Sequence, residues 1–286
     1  MAHKKVLVTG AGGFLGKPLV KTLARNMELI PLYHGPQTNL LSREYVDMLQ
    51  KADVVIHLAG KSFVPESWKD PHTVFNTNFN TTLNMLEYAR NNDVEQFIFP
   101  SSYLYGNPDY LPIDEKHPVK ILNPYARSKY ICEELCRSYA EEYGLSVIIF
   151  RIFNIYGPGQ PGHWLIPTIL SQLPSGTVTL NDTEPKRDYI YISDVISAFV
   201  CALDYRKTRF EIFNLGSGMS YSVQEIVDAA QKAAGTRCAV VNKAERRKNE
   251  IMNTIADISK ASSLLGWKPA ISLEYGLKEI WEQTIR

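Results

Sequence analysis

The stretch Val6-Leu-Val-Thr-Gly-Ala-Gly-Gly-Phe-Leu-Gly16 decides the fold of this chain. The apolar run Val6–Val8 predicts a short buried strand, and the amphipathic segment that begins at Phe14 predicts a helix. A strand, a glycine-rich turn and a helix in this order are typical of the first βα unit of a nucleotide-binding fold. The stretch therefore predicts a dinucleotide site at the N-terminal end of the chain.

Each glycine of the turn has an expected task. Gly10 can take a positive φ, Gly13 lets the backbone approach a pyrophosphate, and Gly16 lets the helix pack closely on the strand. The helix N-terminus, reached through Phe14 and Leu15, would then face the phosphates with free N–H groups. The spacing is G-x-x-G-x-x-G, whereas the ordinary fingerprint is G-x-G-x-x-G. A tight turn that needs glycine for structural reasons alone is the alternative interpretation.

Composition narrows the class of protein. The 286 residues include 31 basic and 30 acidic side chains, so no bulk charge favours nucleic acid or a membrane as a partner. No apolar run reaches membrane length, and the first residues lack a signal-peptide pattern. Cys132, Cys136, Cys201 and Cys238 form no Cys-x-x-Cys pair, which predicts reduced thiols and no metal site. We expect a cytoplasmic protein.

Strand and helix patterns alternate along the chain, which predicts an α/β fold with a Rossmann-like, doubly wound parallel sheet. We expect a dinucleotide-binding domain over residues 1–155, joined by roughly 188–215. Residues 156–187 and 216–286 are expected to form a smaller α+β C-terminal region that binds the substrate. The predicted strands are 29–33, 53–58, 97–99, 147–152, 187–192 and 210–215, and the predicted helices are 45–49, 76–91, 123–143, 166–173, 194–203, 223–234, 258–265 and 273–284.

Tyr125-Ala-Arg-Ser-Lys129 places a phenol and an ammonium on one face of a predicted helix. A neighbouring cation favours phenolate, so we expect a lowered Tyr125 pKa and an acid/base usable near neutrality. The pattern alone would occur about once by chance in a chain of this composition. Its position after a strand that ends in Ser101-Ser102, and after a nucleotide turn, makes it informative.

With these motifs in place, the chain resembles the extended short-chain dehydrogenases/reductases, the group of nucleotide-sugar epimerases, dehydratases and reductases. The resemblance covers nearly the whole chain and depends on the order and spacing of several modest motifs. They are Thr9–Gly16, Asp53–Ala59, Asn78–Asn80, Ser101–Gly106, Asn123–Lys129, Arg151–Gln160, Arg187–Val195, Phe213–Gly216 and Leu265–Pro269.

The resemblance implies a catalytic set of Ser101, Tyr125 and Lys129. Tyr125 would be the acid/base on a sugar hydroxyl or carbonyl, and Ser101 would hydrogen-bond the same oxygen. Lys129 would bind the nicotinamide ribose and tune Tyr125.

The resemblance also implies NAD or NADP as cofactor. The second strand ends without Asp or Glu, which permits NADP, and His34 is a conceivable contact, although no arginine argues for the 2′-phosphate. For Lys61 a solvated side chain is an equal alternative, and His57 is interpreted as a packing residue. The predicted cofactor-binding residues are Gly10, Gly13, Phe14, Leu15, Gly16, His34, Asn39, Leu40, Leu58, Ala59, Gly60, Lys61, Asn78, Tyr125 and Lys129.

A nucleotide-diphosphate sugar is the implied substrate, with Ser102, Tyr103, Asn154, Arg187 and Arg247 as predicted contacts. Asn154 and Arg187 match residues that hold the diphosphate, and Arg247 is a looser candidate. A guanidinium fork suits phosphate oxygens. The structural alternatives are a turn cap for Asn154 and a solvated surface charge for Arg247.

Positions at which the chain departs from the family pattern help to predict which of the family's reactions it performs. Ser102 and Tyr103 stand where the dehydratases carry an acidic pair, which argues against dehydration. Tyr103 is bulky where many 4-epimerases have a small residue, and this slightly favours 4-keto reduction of a nucleotide-activated deoxysugar. A 4-epimerase with tightly bound NAD stays open, as does, more remotely, a non-catalytic sensor or scaffold. By analogy we expect a homodimer built from helices 76–91 and 124–143.

Overall fold

The computed structural model describes residues 4–246 and 250–284. Its strands are β1 (Lys5–Thr9), β2 (Glu28–Leu32), β3 (Val54–His57), β4 (Gln96–Ser102), β5 (Val147–Ile152), β6 (Asn154–Tyr156), β7 (Thr177–Leu180), β8 (Lys186–Tyr191), β9 (Phe210–Leu215), β10 (Ser220–Ser222) and β11 (Ala239–Asn242). Its helices are α1 (Gly16–Leu23), α2 (Arg43–Asp47), α3 (Val64–Lys69), α4 (Pro71–Asn91), α5 (Pro124–Tyr143), α6 (Leu165–Gln172), α7 (Ile192–Ala202), α8 (Val223–Ala234), α9 (Ser259–Leu265) and α10 (Leu273–Thr284).

The largest sheet has the strand order β2-β1-β3-β4-β5-β9. β1 pairs in parallel with both β2 and β3, and β3 pairs in parallel with β4. The chain therefore reverses its direction of travel across the sheet at β1, which creates a switch point between β1 and β3. This arrangement confirms the predicted Rossmann-like fold. Ligands of open α/β sheets bind beyond the carboxyl ends of the strands at such a point.

The two faces of the sheet are covered by different helices, as the alternation along β5 demonstrates. Ile149 is buried in a core that includes residues of α4 and α5, such as Met85 and Cys136. Phe150, its neighbour, packs against Phe199 of α7 with the ring centroids 5.0 Å apart. Because successive side chains of a strand point to opposite faces, β5 is buried on both sides, which explains its uninterrupted apolar sequence.

Capping residues set the first turns of the two long helices. Asn123 accepts a hydrogen bond from the Ala126 N–H at 2.8 Å, and Pro124 occupies the first helical position of α5, as predicted. Helix α4 begins at Pro71, five residues before the predicted start, because the Asp70 side chain caps it. The apolar periodicity of α4 becomes regular only later, so a prediction based on it starts late.

The chain divides into two compact units. The first comprises Met1–Leu104, Val119–Arg151 and Ile196–Phe213, and the second comprises Tyr105–Pro118, Ile152–Val195 and Asn214–Arg286. In this division 105–118 belong to the second unit, whereas the predicted boundary at residue 155 leaves them in the first domain. The domain limits stay a prediction. Among the described residues, none of the helices combines the length and apolar character needed to cross a bilayer.

Small sheets organise the second unit. One has the order β10-β8-β6 and another pairs β11 with β7. Asp188 of β8 is fully buried, and its carboxylate accepts hydrogen bonds from the N–H groups of Ser217, Gly218 and Ala256. Burial raises the pKa of this carboxyl, and the hydrogen bonds oppose the rise. Asp188 thus joins three segments of the unit, directly beside Arg187.

Candidate active site

The glycine turn after β1 requires glycine at two positions for packing. Gly10 has a φ of +66°, and a Cβ atom there would lie 2.8 Å from the backbone nitrogen of Ala59. A Cβ atom on Gly16 would lie 2.1 Å from the carbonyl oxygen of Gly10. The backbone of the turn is therefore pressed between β3 and the start of α1, a closeness that larger residues would prevent.

The N-terminus of α1 is left uncapped by the protein itself. Leu15 is its N-cap residue and offers no side-chain hydrogen bond, and no acidic residue lies in the first turn. The Gly13 N–H donates to the Gly10 carbonyl at 3.0 Å, but the N–H groups of Phe14 and Leu15 have no partner within 4–246 and 250–284. Unpaired N–H groups at the positive end of a helix suit an anion. The turn therefore fits the pyrophosphate of a dinucleotide.

A hydrogen-bonded relay through His57 connects β1, β3 and α4. The Ala59 N–H donates to Thr9 Oγ1 at 3.0 Å, and Thr9 Oγ1 lies 2.8 Å from His57 Nδ1. Thr81 Oγ1 lies 3.5 Å from His57 Nε2 and donates its own proton to the Thr77 carbonyl. Because Thr81 Oγ1 donates its proton to the Thr77 carbonyl, it can only accept a hydrogen bond from the imidazole ring. The proton of the neutral imidazole is therefore on Nε2, and Thr9 Oγ1 donates its proton to Nδ1.

The imidazole of His57 is fully buried, and burial lowers its pKa to about 3, with a smaller contribution from the Lys129 charge. A neutral ring of this kind fits the predicted packing role. The relay also positions the Ala59 amide next to the glycine turn.

Asn78 uses its whole amide group to shape the segment that follows β3. Its Oδ1 accepts from the Lys61 N–H at 2.7 Å, and its Nδ2 donates to the Lys61 carbonyl and to Ser128 Oγ. Ser128 Oγ in turn donates to the Tyr125 carbonyl at 2.8 Å. Asn78 therefore holds the 59–61 segment in place and links it to the first turn of α5. The sequence analysis included Asn78 among the cofactor-binding residues, and that assignment stays a prediction.

The predicted contacts on the adenosine side lie on or beside β2 and β3. His34 and Asn39 are exposed, and Leu40 is buried in the core. Asn39 Oδ1 accepts from the Leu41 N–H at 3.2 Å, which closes a local turn.

Lys61 Nζ lies 3.2 Å from Glu66 Oε1, and both side chains are more than two-fifths exposed. Such a surface pair is weak, so it leaves Lys61 available to a ligand.

The two serines at the end of β4 have different environments. The Ser102 hydroxyl hydrogen-bonds to the phenol of Tyr125, whereas Ser101 Oγ is buried and has no hydrogen-bond partner in the described chain. Ser102 was predicted as a substrate contact and Ser101 as the catalytic hydroxyl. The geometry thus brings Ser102 and Tyr125 together, and both assignments stay predictions.

Burial raises the pKa of Tyr125 far above its usual value, and the Ser102 hydrogen bond only partly opposes this. The expectation of a lowered Tyr125 pKa is therefore wrong for the chain alone. Lys129 was the reason for that expectation, but it is not among the groups that shift this phenol. Tyr125 is a neutral phenol at physiological pH, and hence a proton donor.

Lys129 is a buried cation of which 8% of the surface is exposed. Burial lowers the pKa of its ammonium to about 8, and the nearby Glu133, Cys132 and Cys136 oppose the fall. Its Nζ lies 4.0 Å from the centroid of the Phe99 ring.

Tyr103 is close enough to Tyr125 to raise the pKa of that phenol electrostatically.

The predicted phosphate contacts lie in the second unit. Arg187 donates from Nη1 to the carbonyls of Lys186 and Ile251 and from Nη2 to the Glu250 carboxylate. Asn154 Nδ2 donates to the Asp188 carbonyl at 2.9 Å. Arg247 lies outside the described residues. Arg187 and Glu250 form a nearly buried ion pair, so an incoming phosphate would share or displace the Glu250 carboxylate.

Sequence reasoning did not identify Glu250 or Ser128 as parts of the site. Ser128 directly precedes Lys129, so its place within Tyr-x-x-Ser-Lys could have suggested it. Glu250 has no local signal, because its partner Arg187 is 63 residues away in the chain.

Comparison with known proteins places these features in a family. The sequence model of the NAD dependent epimerase/dehydratase family matches residues 6–216. A putative UDP-glucose 4-epimerase of Methanocaldococcus jannaschii is 34% identical, and the match covers 96% of each chain. A GDP-6-deoxy-D-mannose reductase of Pseudomonas aeruginosa is 30% identical, with 99% of each chain covered.

Among solved structures, RMD from Pseudomonas aeruginosa in complex with NADPH superimposes with a TM-score of 0.90 and 29% identity, and 98% of each chain is covered. The likeness therefore extends over nearly the whole chain and includes relatives named for two different reactions.

Proposed function

The chain belongs to the NAD-dependent epimerase/dehydratase family, and from this premise we propose that it reduces the 4-keto group of a nucleotide-activated deoxysugar with NAD(P)H. The grouping of Tyr125 with Ser102, its hydrogen-bond partner, and with the nearby Tyr103 is the observation that carries the proposal. The proposal needs a hydride donor, a proton donor and an anchor for the diphosphate of the substrate.

Residues of the first unit would hold the dinucleotide. The unpaired N–H groups of Phe14 and Leu15 suit its pyrophosphate, and Leu58 and Ala59 border the same turn. Lys129 is the candidate for the nicotinamide ribose hydroxyls. When bound, the reduced cofactor supplies the hydride that a carbonyl carbon accepts.

The proton would come from Tyr125. Its phenol is protonated at neutral pH and can donate to the oxygen at C4. The Ser102 hydroxyl is hydrogen-bonded to the phenol oxygen, so the two donors can converge on one substrate oxygen.

One feature supports reduction over 4-epimerisation. An epimerase must turn its sugar within the site, and a bulky tyrosine at position 103, near Tyr125, would hinder that movement.

The second candidate is a 4-epimerase with tightly bound NAD. The relative from M. jannaschii, named a putative UDP-glucose 4-epimerase, favours it. The same Tyr125 and Ser102 would then act in both directions at C4, without net oxidation. A sensor or scaffold without catalysis is disfavoured by the intact pairing of phenol and hydroxyl.

Anchoring of the diphosphate is proposed for Arg187, Asn154 and Arg247. The Arg187 guanidinium can keep its bonds to the two backbone carbonyls while a phosphate oxygen takes the place of the Glu250 carboxylate.

Turnover assays separate the two candidates. Purified protein is incubated with NADPH or NADH and a GDP- or dTDP-4-keto-6-deoxyhexose, and separately with UDP-glucose alone. We expect consumption of the reduced cofactor in equal amounts with the reduced sugar. The Tyr125→Phe variant should lose about 10²- to 10⁴-fold in kcat and keep its affinity for the cofactor. Interconversion of UDP-glucose and UDP-galactose without added cofactor would overturn the reductase proposal.

Assembly and location are proposals of the same kind. A groove of about 590 Å³ between α4 and α5 is lined by apolar side chains that include Phe75, Phe79 and Ile131, which supports a homodimer through these helices. Sedimentation as a monomer would overturn it. The four cysteines are free thiols, which supports the cytoplasmic location.

A further inference from the structure

The ammonium of Lys129 lacks the partner that a buried cation usually has. Throughout 4–246 and 250–284, no carboxylate lies within salt-bridge distance of its Nζ, and its Nζ makes no hydrogen bond. The nearest carboxylate on its own helix, Glu133, is engaged by Arg151 through three contacts of 2.6 to 3.2 Å. A charge that is removed from water without such compensation is costly.

An aromatic face takes the place of the carboxylate. Nζ lies 4.0 Å from the centroid of the Phe99 ring, and Phe99 is only 1% exposed. The negative face of an aromatic ring attracts a cation, and this attraction grows when water is excluded. Phe99 has no polar atom, so it stabilises the charge and leaves every N–H of the ammonium free to donate.

The ring of Phe99 is itself held in position. The His57 ring lies 6.2 Å away and nearly parallel, with an interplanar angle of 20°. Thr9 and Thr81 fix His57 through its two ring nitrogens. Because this imidazole is neutral, it adds no positive charge below the ammonium.

We propose that Phe99 is a positioning residue that holds the charged ammonium of Lys129 in place before the cofactor binds. The role of Lys129 toward the cofactor rests on the proposed function, whereas the effect of Phe99 on the ammonium does not.

The other ionisable groups around Lys129 cannot perform this task. On α5 they are Glu133, Cys132 and Cys136, and burial keeps the two thiols protonated. On β3 the nearby group is the neutral His57, and Arg151 of β5 forms an ion pair with Glu133. Phe99 is therefore the group of this shell that contacts the ammonium directly.

The test measures the titration of Lys129 in cofactor-free protein. Lysines are labelled with carbon-13 at Cε, and the Lys129 signal is assigned by its loss in Lys129→Met. The pKa is expected near 8 in the natural chain and about one unit lower in Phe99→Leu, a tenfold change in proton affinity. Phe99→Tyr keeps an aromatic face and should restore most of the difference.

Phe97→Leu is the matched control. Phe97 lies on the same face of β4, is fully buried and also contacts the His57 ring, at 6.0 Å, but it does not lie under Lys129. Its loss should leave the Lys129 pKa unchanged. An unchanged pKa in Phe99→Leu, or an equal fall in Phe97→Leu, would overturn the proposal. If Phe99→Leu does not fold, Phe99→Met removes the ring with less change in volume.

A second readout connects the charge to binding. The dissociation constant of NADPH, measured by fluorescence across pH, should begin to rise about one pH unit lower in Phe99→Leu than in the natural chain. Titration of Lys129 needs no turnover. A shifted pKa in a protein that reduces no nucleotide sugar would uphold the role of Phe99 and overturn the proposed function instead.

Discussion

Two buried cations of the first unit have different kinds of partner. Arg151 is 4% exposed and has a full partner in Glu133, which is 1% exposed. Lys129, one helical turn before Glu133 on α5, is 8% exposed and has an aromatic ring in place of a carboxylate. Burial is therefore similar for the two cations, and the partner differs.

The difference separates a structural charge from a reactive one. The Arg151 fork is saturated, so it ties β5 to α5 and has little left to offer a ligand. The Lys129 ammonium keeps its donors free, at the cost of a pKa lowered to about 8. The buried charge of Lys129 therefore lowers the stability of the cofactor-free protein. A bound cofactor would supply hydrogen-bond partners for the ammonium, and such a loss of stability is common at functional sites.

Removing the guanidinium of Arg151 should have the largest effect on stability. We expect Arg151→Met to lower the free energy of unfolding by about 3–5 kcal/mol, because it leaves the Glu133 carboxylate buried and unpaired. Urea denaturation of the cofactor-free protein at pH 7 measures this. Arg127→Met makes the same exchange on the exposed face of α5 and should change the stability by less than about 0.5 kcal/mol. Equal losses in both variants would contradict the structural role of the pair.

Removing the ammonium of Lys129 should change the free energy of unfolding in the opposite direction. The folded pKa of Lys129, about 8, lies below its ordinary value of 10.5, so below pH 8 the folded state carries the full cost of the buried charge. Lys129→Met should therefore stabilise the cofactor-free protein by about 3 kcal/mol at pH 7. The gain should shrink to about 1.5 kcal/mol at pH 9.5, where the charge is already lost from the folded state.

Urea denaturation at the two pH values measures the change, and turnover of the same variant should be abolished. A variant that is less stable than the natural chain at pH 7 would show that the ammonium has a partner of greater strength.

The smallest expected effect concerns the imidazole near Lys129. The folded pKa of His57, about 3, lies below its ordinary value of 6.5, so below pH 6.5 the unfolded state binds a proton that the folded state refuses. Stability should fall by about 2 kcal/mol between pH 7 and pH 5 through this group. His57→Asn should remove that part of the slope, whereas Lys129→Met should leave it nearly unchanged, because burial is the main cause of the lowered pKa and keeps the folded ring neutral throughout this pH range. Identical slopes in all three proteins would contradict this account.

Much of the fold could be predicted from the sequence because its signals are local. The first βα unit, the uninterrupted apolar strand β5 and the cap at Asn123 were all read correctly from neighbouring residues. The short strands β6, β7, β10 and β11 were not predicted. Three or four residues contain too little periodicity to indicate a strand, and pairing with distant segments decides whether one forms.

The site was predicted in its residue types more than in its contacts. Tyr125 and Lys129 follow from one motif, but the expected lowering of the Tyr125 pKa is wrong, because burial raises this pKa and outweighs the opposing hydrogen bond from Ser102. Ser101 and Ser102 are adjacent and chemically identical, so only their surroundings could distinguish them. The structure turns Ser102 toward the phenol.

The sequence by itself determined the strands of the six-stranded sheet, the glycine turn and the family to which the chain belongs. Those properties depend on backbone geometry and on patterns within a few residues. Tertiary structure alone decided that Lys129 lies over Phe99, that Arg187 pairs with Glu250 and that His57 bridges two threonines. These contacts join residues 24 to 63 positions apart, and their strength depends on the exclusion of water, which no local pattern encodes.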